Sequence, residues 1–222
     1  MIDKQDFEAY ADFKRFNTYV ADTWDVALRE AISRSGQDTT TIRLLDYGCG
    51  DGKYFHHFVS TRGFIPENVY GAEVSSRRVQ RCHDMGWANA SLIDGAGPLP
   101  YEDASFDIIN MMEVIEHIPA ELGSRTIAEL RRVLRPGGRL LISTPNYPIK
   151  RFYDLSDALL HGKWSRLRDD PTHVTHFSDR RLRHLLERSF SQVEARPFKE
   201  GYLYKRLKTP ILKHKLFFLC TA

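Results

Sequence analysis

Leu44-Leu45-Asp46-Tyr47-Gly48-Cys49-Gly50-Asp51-Gly52 sets a short apolar run before an acid and three glycines at alternate positions. An apolar run of this kind reads as a buried strand. Glycine lets the backbone behind it approach a ligand closely and take conformations closed to other residues. The spacing is Gly-x-Gly-x-Gly, and Lys53 stands where a dinucleotide fingerprint would place its last glycine. A carboxylate at the strand end repels a pyrophosphate and suits a ligand carrying an ammonium and a sulfonium. Taken alone, such a turn leaves a NAD or nucleotide loop open as a rival.

Outward from this turn, strands and helices alternate. The strand Ile42 to Asp46 leads into a helix from about Asp51 to Thr61. Val69 to Glu73 reads as a second strand, and Ser75 or Ser76 can cap the helix that holds Val79, Cys82 and Met85. Ser91 to Asp94 and Phe106 to Met112 read as the third and fourth strands, and Pro119 suits the first turn of the next helix. Pro136-Gly137-Gly138 turns the chain into a fifth strand, Arg139 to Ser143. A capped helix is expected from Ser178, and two strands near 191–197 and 214–221. Upstream, residues 5 to about 33 show helical spacing of Phe13, Phe16, Val20, Trp24, Ala27 and Ala31. Alternating βα units with nearly continuous apolar strands imply a doubly wound α/β domain, a mostly parallel sheet with helices on both faces. Ligands in such sheets bind beyond the carboxyl ends of the strands at the switch point.

Acids arrive at those ends. Glu73 closes the second strand, 21 residues past Gly52, where a carboxylate can accept both hydroxyls of a ribose. Asp94, followed by Gly95 and Ala96, closes the third and can take an adenine amino group. Glu113 closes the fourth, next to the first strand in a doubly wound order.

Asp46-Tyr-Gly48-Cys-Gly50-Asp-Gly52, Ser105-Phe-Asp107-Ile-Ile, Glu113-Val-Ile-Glu116-His117 and Leu134-Arg-Pro-Gly-Gly-Arg-Leu-Leu-Ile-Ser-Thr-Pro-Asn146 together resemble the motif series of class I S-adenosylmethionine-dependent methyltransferases. The resemblance covers about residues 42–146, and more loosely 171–190. It implies a seven-stranded Rossmann-like sheet in one domain over 1–222, with an N-terminal helical lid in 1–40 and a substrate-side insertion at 145–177. It also implies S-adenosylmethionine held by Asp46, Gly48, Cys49, Gly50, Gly52, Glu73, Val74, Asp94, Gly95, Ala96 and Glu113. One departure is Glu73, which stands where aspartate is common and reaches slightly further to the same hydroxyls.

Methyl transfer from a sulfonium is an in-line displacement, so alignment of the acceptor and exclusion of water supply most of the catalysis. A hydroxyl acceptor needs its proton removed, by a base or with a metal ion. The candidates are His117, Glu116, His173 and His176, with His117 as the base. Glu113, Glu116, His117 and His176 form a possible Mg²⁺ set, since Glu-x-x-Glu-His resembles quinone-biosynthesis O-methyltransferases and metal-using small-RNA 2′-O-methyltransferases. Phe7, Tyr10, Phe13 and Phe16 can lid the pocket, and Tyr147, Phe152, Tyr153, Trp164, Arg166 and Arg168 are expected to wall the acceptor side.

Composition sets further bounds. Cys49, Cys82 and Cys220 are scattered with no Cys-x-x-Cys pair, against a disulfide framework or thiolate metal site and in keeping with the cytoplasm. The polar start does not read as a signal peptide, and no apolar stretch is long enough to span a bilayer. Residues 1–150 carry 17 Lys and Arg against 21 Asp and Glu, or −4, whereas 151–222 carry 15 against 8, or +7. The basic third can face an anionic small molecule, a membrane surface or nucleic acid. The expected function is methylation of a hydroxyl on a sugar, glycolipid, quinone or secondary metabolite, by a monomer or homodimer. The rivals are an RNA 2′-O-methyltransferase, disfavoured because no separate RNA-binding module is visible, and an inactive cofactor-binding partner subunit.

Overall fold

A computed structural model describes residues 8, 9, 11, 20–95, 97–147, 149–167, 170–196 and 214–222. Its strands are β1 (Leu44–Tyr47), β2 (Val69–Glu73), β3 (Ala90–Leu92), β4 (Phe106–Met112), β5 (Leu134–Pro145), β6 (Gln192–Ala195) and β7 (Lys215–Thr221). They form one sheet in the order β3-β2-β1-β4-β5-β7-β6, in which β7 pairs antiparallel with both β5 and β6 and the other pairs are parallel. The helices are α1 (Asp22–Ser35), α2 (Lys53–His56), α3 (Ser76–Asp84), α4 (Ala120–Val133), α5 (Ile149–His161) and α6 (Asp179–Leu186).

Both faces of the sheet are covered because its central strands are apolar on both sides. Leu45, Ile109, Leu140 and Phe218 face Ile127, Leu130 and Val133 of α4 and Leu182 and Leu186 of α6. Their chain neighbours Leu44, Ile108, Leu141 and Phe217 face Trp24, Ala27, Leu28 and Ala31 of α1 and Cys82 of α3. The order reverses between β1 and β4, so their carboxyl ends open the crevice in which such sheets bind ligands.

Several boundaries differ from the sequence reading. β3 stops at Leu92, leaving Asp94 exposed two residues beyond it. Pro136-Gly137-Gly138 does not precede β5 but forms a bulge inside it. Phe106 pairs with Leu134 and Ile108 with Arg139, two steps on β4 against five on β5. Residues 145–177 carry no clean period, yet α5 lies within them. Its inward positions are Asp154 and Ala158, and its large apolar residues point outward, the reverse of the usual amphipathic pattern. Of the helix expected over 5 to 33, the structure describes α1 from Asp22 onward. Phe7, Tyr10, Phe13 and Phe16 lie outside the described residues, as do Ala96, Arg168 and the side chain of Arg166.

Candidate active site

The end of β1 becomes a cradle because three glycines turn the chain there. Gly48, Gly50 and Gly52 have φ of 73°, 56° and 76°, the left-handed region that glycine enters without penalty. A Cβ at Gly48 would stand 2.4 Å from Cγ2 of Val114, so β-carbon-bearing residues are excluded sterically as well. The Gly48 and Cys49 amides donate to the Ala72 carbonyl at 2.7 and 3.3 Å, binding the turn to β2. Cys49 turns its side chain into the core beside Cys82 and Trp87, so only its backbone faces the cradle.

Glu73 organises the same corner. One carboxylate oxygen accepts the Gly50 amide at 2.9 Å; the other accepts the amides of Val74 and Ser75 at 2.8 and 3.0 Å. The carboxylate thereby fixes the glycine turn against the β2–α3 turn. Ser75 caps α3, its hydroxyl oxygen accepting the Arg78 amide at 3.3 Å. Glu8 reaches the same turn from the N-terminal segment. Its carboxylate accepts the Ser75 hydroxyl at 2.8 Å and the Ser76 amide at 2.6 Å. The Ala11 carbonyl accepts Arg81 Nη1 at 2.9 Å. Glu8 escaped the sequence reading, since no local pattern links it to a turn 67 residues away.

Asp46 is 1% exposed. Its Oδ1 accepts the Asn110 amide at 2.7 Å, and Asn110 in turn accepts Nε1–H of Trp24 at 2.8 Å. Among the described residues its Oδ2 has no hydrogen-bond partner. Burial, with a smaller push from Glu73, raises its pKa to about 7. One oxygen of this buried carboxyl is thus left to accept a further hydrogen bond. Asn110 and Trp24 were not anticipated as its supports; both sit in apolar patterns that read as core.

Asp94 and Gly95 follow β3, and Val74 Cγ1 would stand 3.0 Å from a Cβ on Gly95. A cavity of about 190 Å³ opens beside them, lined in part by Tyr47, Gly95, Leu99 and Arg125.

Beyond β4 the chain enters a different chemistry. Glu113 has φ of 59°, a left-handed conformation uncommon outside glycine and, in folded proteins, concentrated at functional sites. Its carboxylate accepts the Ser143 hydroxyl at 2.7 Å and Lys215 Nζ at 2.5 Å. Glu116, 1% exposed, accepts the Thr144 hydroxyl at 2.9 Å on Oε2, whereas Oε1 is buried with no partner among the described residues. Burial and then repulsion from Glu113 raise its pKa well above the usual carboxylate range, which favours the protonated acid. Its backbone carbonyl accepts the amides of Val174 and Thr175, both at 3.0 Å, which pins the 170s strand of chain over the site.

His117 Nδ1 lies 3.0 Å from the Thr172 carbonyl. A carbonyl only accepts, so Nδ1 carries the proton and the lone pair of the neutral ring lies on Nε2. The His117 and His173 rings meet edge to face at 4.9 Å, and His173 Nδ1 is 3.3 Å from the Tyr147 hydroxyl. His176 stacks on Tyr147 at 4.0 Å. The expected metal set changes accordingly: ligand atoms of Glu116, His117 and His173 lie within 4.8 Å of one another, while Glu113 is held by Lys215 and His176 by its stacking. One carboxylate and two imidazoles form a nitrogen-rich set better suited to Mn²⁺, Fe²⁺ or Zn²⁺ than to Mg²⁺, which prefers oxygen. Of the expected acceptor wall, Tyr147 adjoins this cluster, Tyr153 packs on His214, and Phe152 and Trp164 point to solvent. Among the described residues no helix is long and apolar enough to cross a membrane.

Residues 16–189 match the family model described as a methyltransferase domain. Over 178 residues the chain is 33% identical to a malonyl-[acyl-carrier protein] O-methyltransferase of Methylococcus capsulatus, covering 75% of this chain and 60% of that protein. It is 36% identical over 107 residues to the 27-O-demethylrifamycin SV methyltransferase of Amycolatopsis mediterranei, covering 45% of this chain and 37% of that one. The chain thus spans between about a third and three fifths of these two curated relatives. A methyltransferase from Archaeoglobus fulgidus described as SAM dependent superposes with a TM-score of 0.62 at 19% identity, over 90% of this chain and 94% of that one, which shows the shared fold. By the family match and by the glycine cradle with its strand-end acids, the chain belongs to the class I S-adenosylmethionine-dependent methyltransferase family.

Proposed function

We propose that this chain methylates a hydroxyl oxygen of a small molecule, with S-adenosylmethionine as donor and His117 as base. The residues fit the donor. Oδ2 of Asp46 can accept the ammonium of its amino-acid part, the Gly48–Gly52 turn leaves room for it, and Glu73, Asp94 and Gly95 border its nucleoside. When bound, the donor supplies an electrophilic methyl group on a sulfonium. Asp46 pairs with Asn110 in the sheet register, three residues before Glu113, so the cradle and the histidine cluster open on one crevice. There the chain's own work is to orient the acceptor, exclude water and remove a proton. His117 Nε2 takes the hydroxyl proton while Thr172 holds the ring, and Glu116, as a neutral acid, can donate to a second acceptor oxygen. The observation that carries this reading is the contact of His117 Nδ1 with the Thr172 carbonyl at 3.0 Å, which assigns the ring's basic nitrogen to Nε2.

The test supplies methyl-labelled donor with a panel of hydroxylated acceptors: catechols, sugars and polyketide phenols. Transfer to oxygen is expected, lost in His117→Ala while calorimetric binding of the demethylated product S-adenosylhomocysteine persists. Heat from NADH or ATP but none from that product would overturn the reading. Dialysis against a chelator leaves turnover unchanged if His117 acts as a simple base; loss restored by Mn²⁺ or Zn²⁺ would assign Glu116, His117 and His173 to a metal. Salt-sensitive transfer to RNA oligomers, with none to the panel, would replace the acceptor class.

A further inference from the structure

Helix α5 is built inside out. Phe152, Leu155 and Leu159, at i, i+3 and i+7, line one face and are 54%, 47% and 64% exposed. Leu160 beside them is 76% exposed, and Trp164 in the 3₁₀ turn Trp164–Leu167 that follows is 60% exposed. The opposite face carries Asp154 and Ala158, both buried, and Lys150 Nζ donates to Asp154 at 2.7 Å. The helix thus satisfies its polar face internally and offers its apolar face outward. A run of large apolar side chains left exposed on one helix face marks an interaction site.

We propose that this face docks on an anionic lipid surface. Its apolar side chains stand about half or more exposed. A protein partner would need a groove shaped to it, whereas the headgroup–acyl boundary of a bilayer accepts apolar tips of any outline. Phe, Leu and Trp flanked by cations are the composition of interfacial helices. Arg151 and Lys163 are exposed at the two ends of this face, and only Asp157 on α5 adds an acid beyond the neutralised Asp154. The helix leaves β5 through Tyr147, whose ring stacks on His176, so docking would set the acceptor side of the crevice against the lipid. That last consequence rests on the proposed methyl transfer and names its acceptor class, a hydroxylated amphiphile taken from the membrane. The docking itself does not depend on it.

The test is co-sedimentation of the full chain with vesicles of phosphatidylcholine alone and of an equal mixture with phosphatidylglycerol, without donor or acceptor. Binding is expected to the mixed vesicles only, weakening as salt rises. Leu159→Glu with Leu160→Glu should reduce it by roughly a hundredfold or more, with an unchanged circular dichroism spectrum because both positions face solvent. Lys163→Glu should reduce it by roughly ten- to thirtyfold. Absence of binding to the mixed vesicles overturns the proposal. So does equal binding to phosphatidylcholine alone, or binding that the double variant retains. A dimer in solution that the double variant splits, with no vesicle binding, would assign the face to a second copy of the chain and likewise overturn it. Because the assay contains no donor, each of these failures leaves the methyl-transfer reading to its own test.

Discussion

Asp46 and Glu116 are both buried carboxyl groups with one oxygen answered and one not, yet they sit in two differently made halves of the crevice. Around Asp46 the frame is largely backbone, the glycine turn, the Ala72 carbonyl and the amides gathered by Glu73, while the carboxyl itself is held by the distant side chain of Asn110, which Trp24 supports. Around Glu116 the support comes from separate segments: the Thr144 hydroxyl on the carboxyl, the Val174 and Thr175 amides on the backbone carbonyl, and histidines from two segments. A half framed by backbone accepts one ligand shape and tolerates little change. A half assembled from separate segments can be retuned residue by residue. That contrast fits a fixed donor and an acceptor that varies among relatives.

Substitutions should separate the halves. His117→Ala is expected to lower turnover by about 10²- to 10⁴-fold, with donor affinity unchanged within error by calorimetry. Should affinity fall with turnover, the two halves are not independent. Gly48→Ala, with φ of 73° and the Val114 side chain in the way, should weaken S-adenosylhomocysteine binding by about a hundredfold. Retained affinity in that variant would show the turn to be more yielding than its packing implies. Asp46→Asn replaces a charged acceptor with a neutral amide and should weaken binding by about ten- to a hundredfold.

The same acid predicts a pH dependence. Its pKa in the folded, unliganded chain is about 7, above the ordinary 3.8, so its contribution to stability is fully present below the lower value and lost as pH rises through the higher one. Above pH 7 the carboxylate exists to meet an ammonium. The rise in melting temperature on adding S-adenosylhomocysteine should therefore be larger at pH 8 than at pH 6 in differential scanning fluorimetry. Asp46→Asn should flatten that difference. The smallest effect on binding is expected of Trp24→Phe, a few-fold loss. It removes the donor to Asn110 and leaves a buried oxygen unpaired, at a cost of about 1–3 kcal/mol in chemical denaturation.

The positions of the residues proposed to hold the donor were legible because strand ends and glycine turns are local. Asp46, the three glycines and Glu73 sit at strand ends whose apolar runs announce themselves, and β2 and β4 match their expected bounds. Asp94 was expected at the end of the third strand but lies two residues beyond it, since three strand residues leave little pattern to read. The acceptor half was legible only as a list of residue types. His173 and His176 are three apart in sequence, and nothing local says that one meets His117 while the other stacks on Tyr147. Helix α5 was hidden for a related reason: periodicity is interpreted as apolar-inward, and this helix buries an ion pair instead.

By itself, then, the sequence determined the alternation of strands and helices, the strand tips that carry acids, and the turn that only glycine can make. These follow from backbone sterics and hydrophobic period, which act over a few residues. The tertiary structure decided which oxygen of each buried acid stays unanswered, which imidazole nitrogen holds the proton, and which apolar face remains in water. Those properties depend on burial and on partners brought together across the sheet, such as Trp24 and Asn110, 86 residues apart. No window of the chain contains both.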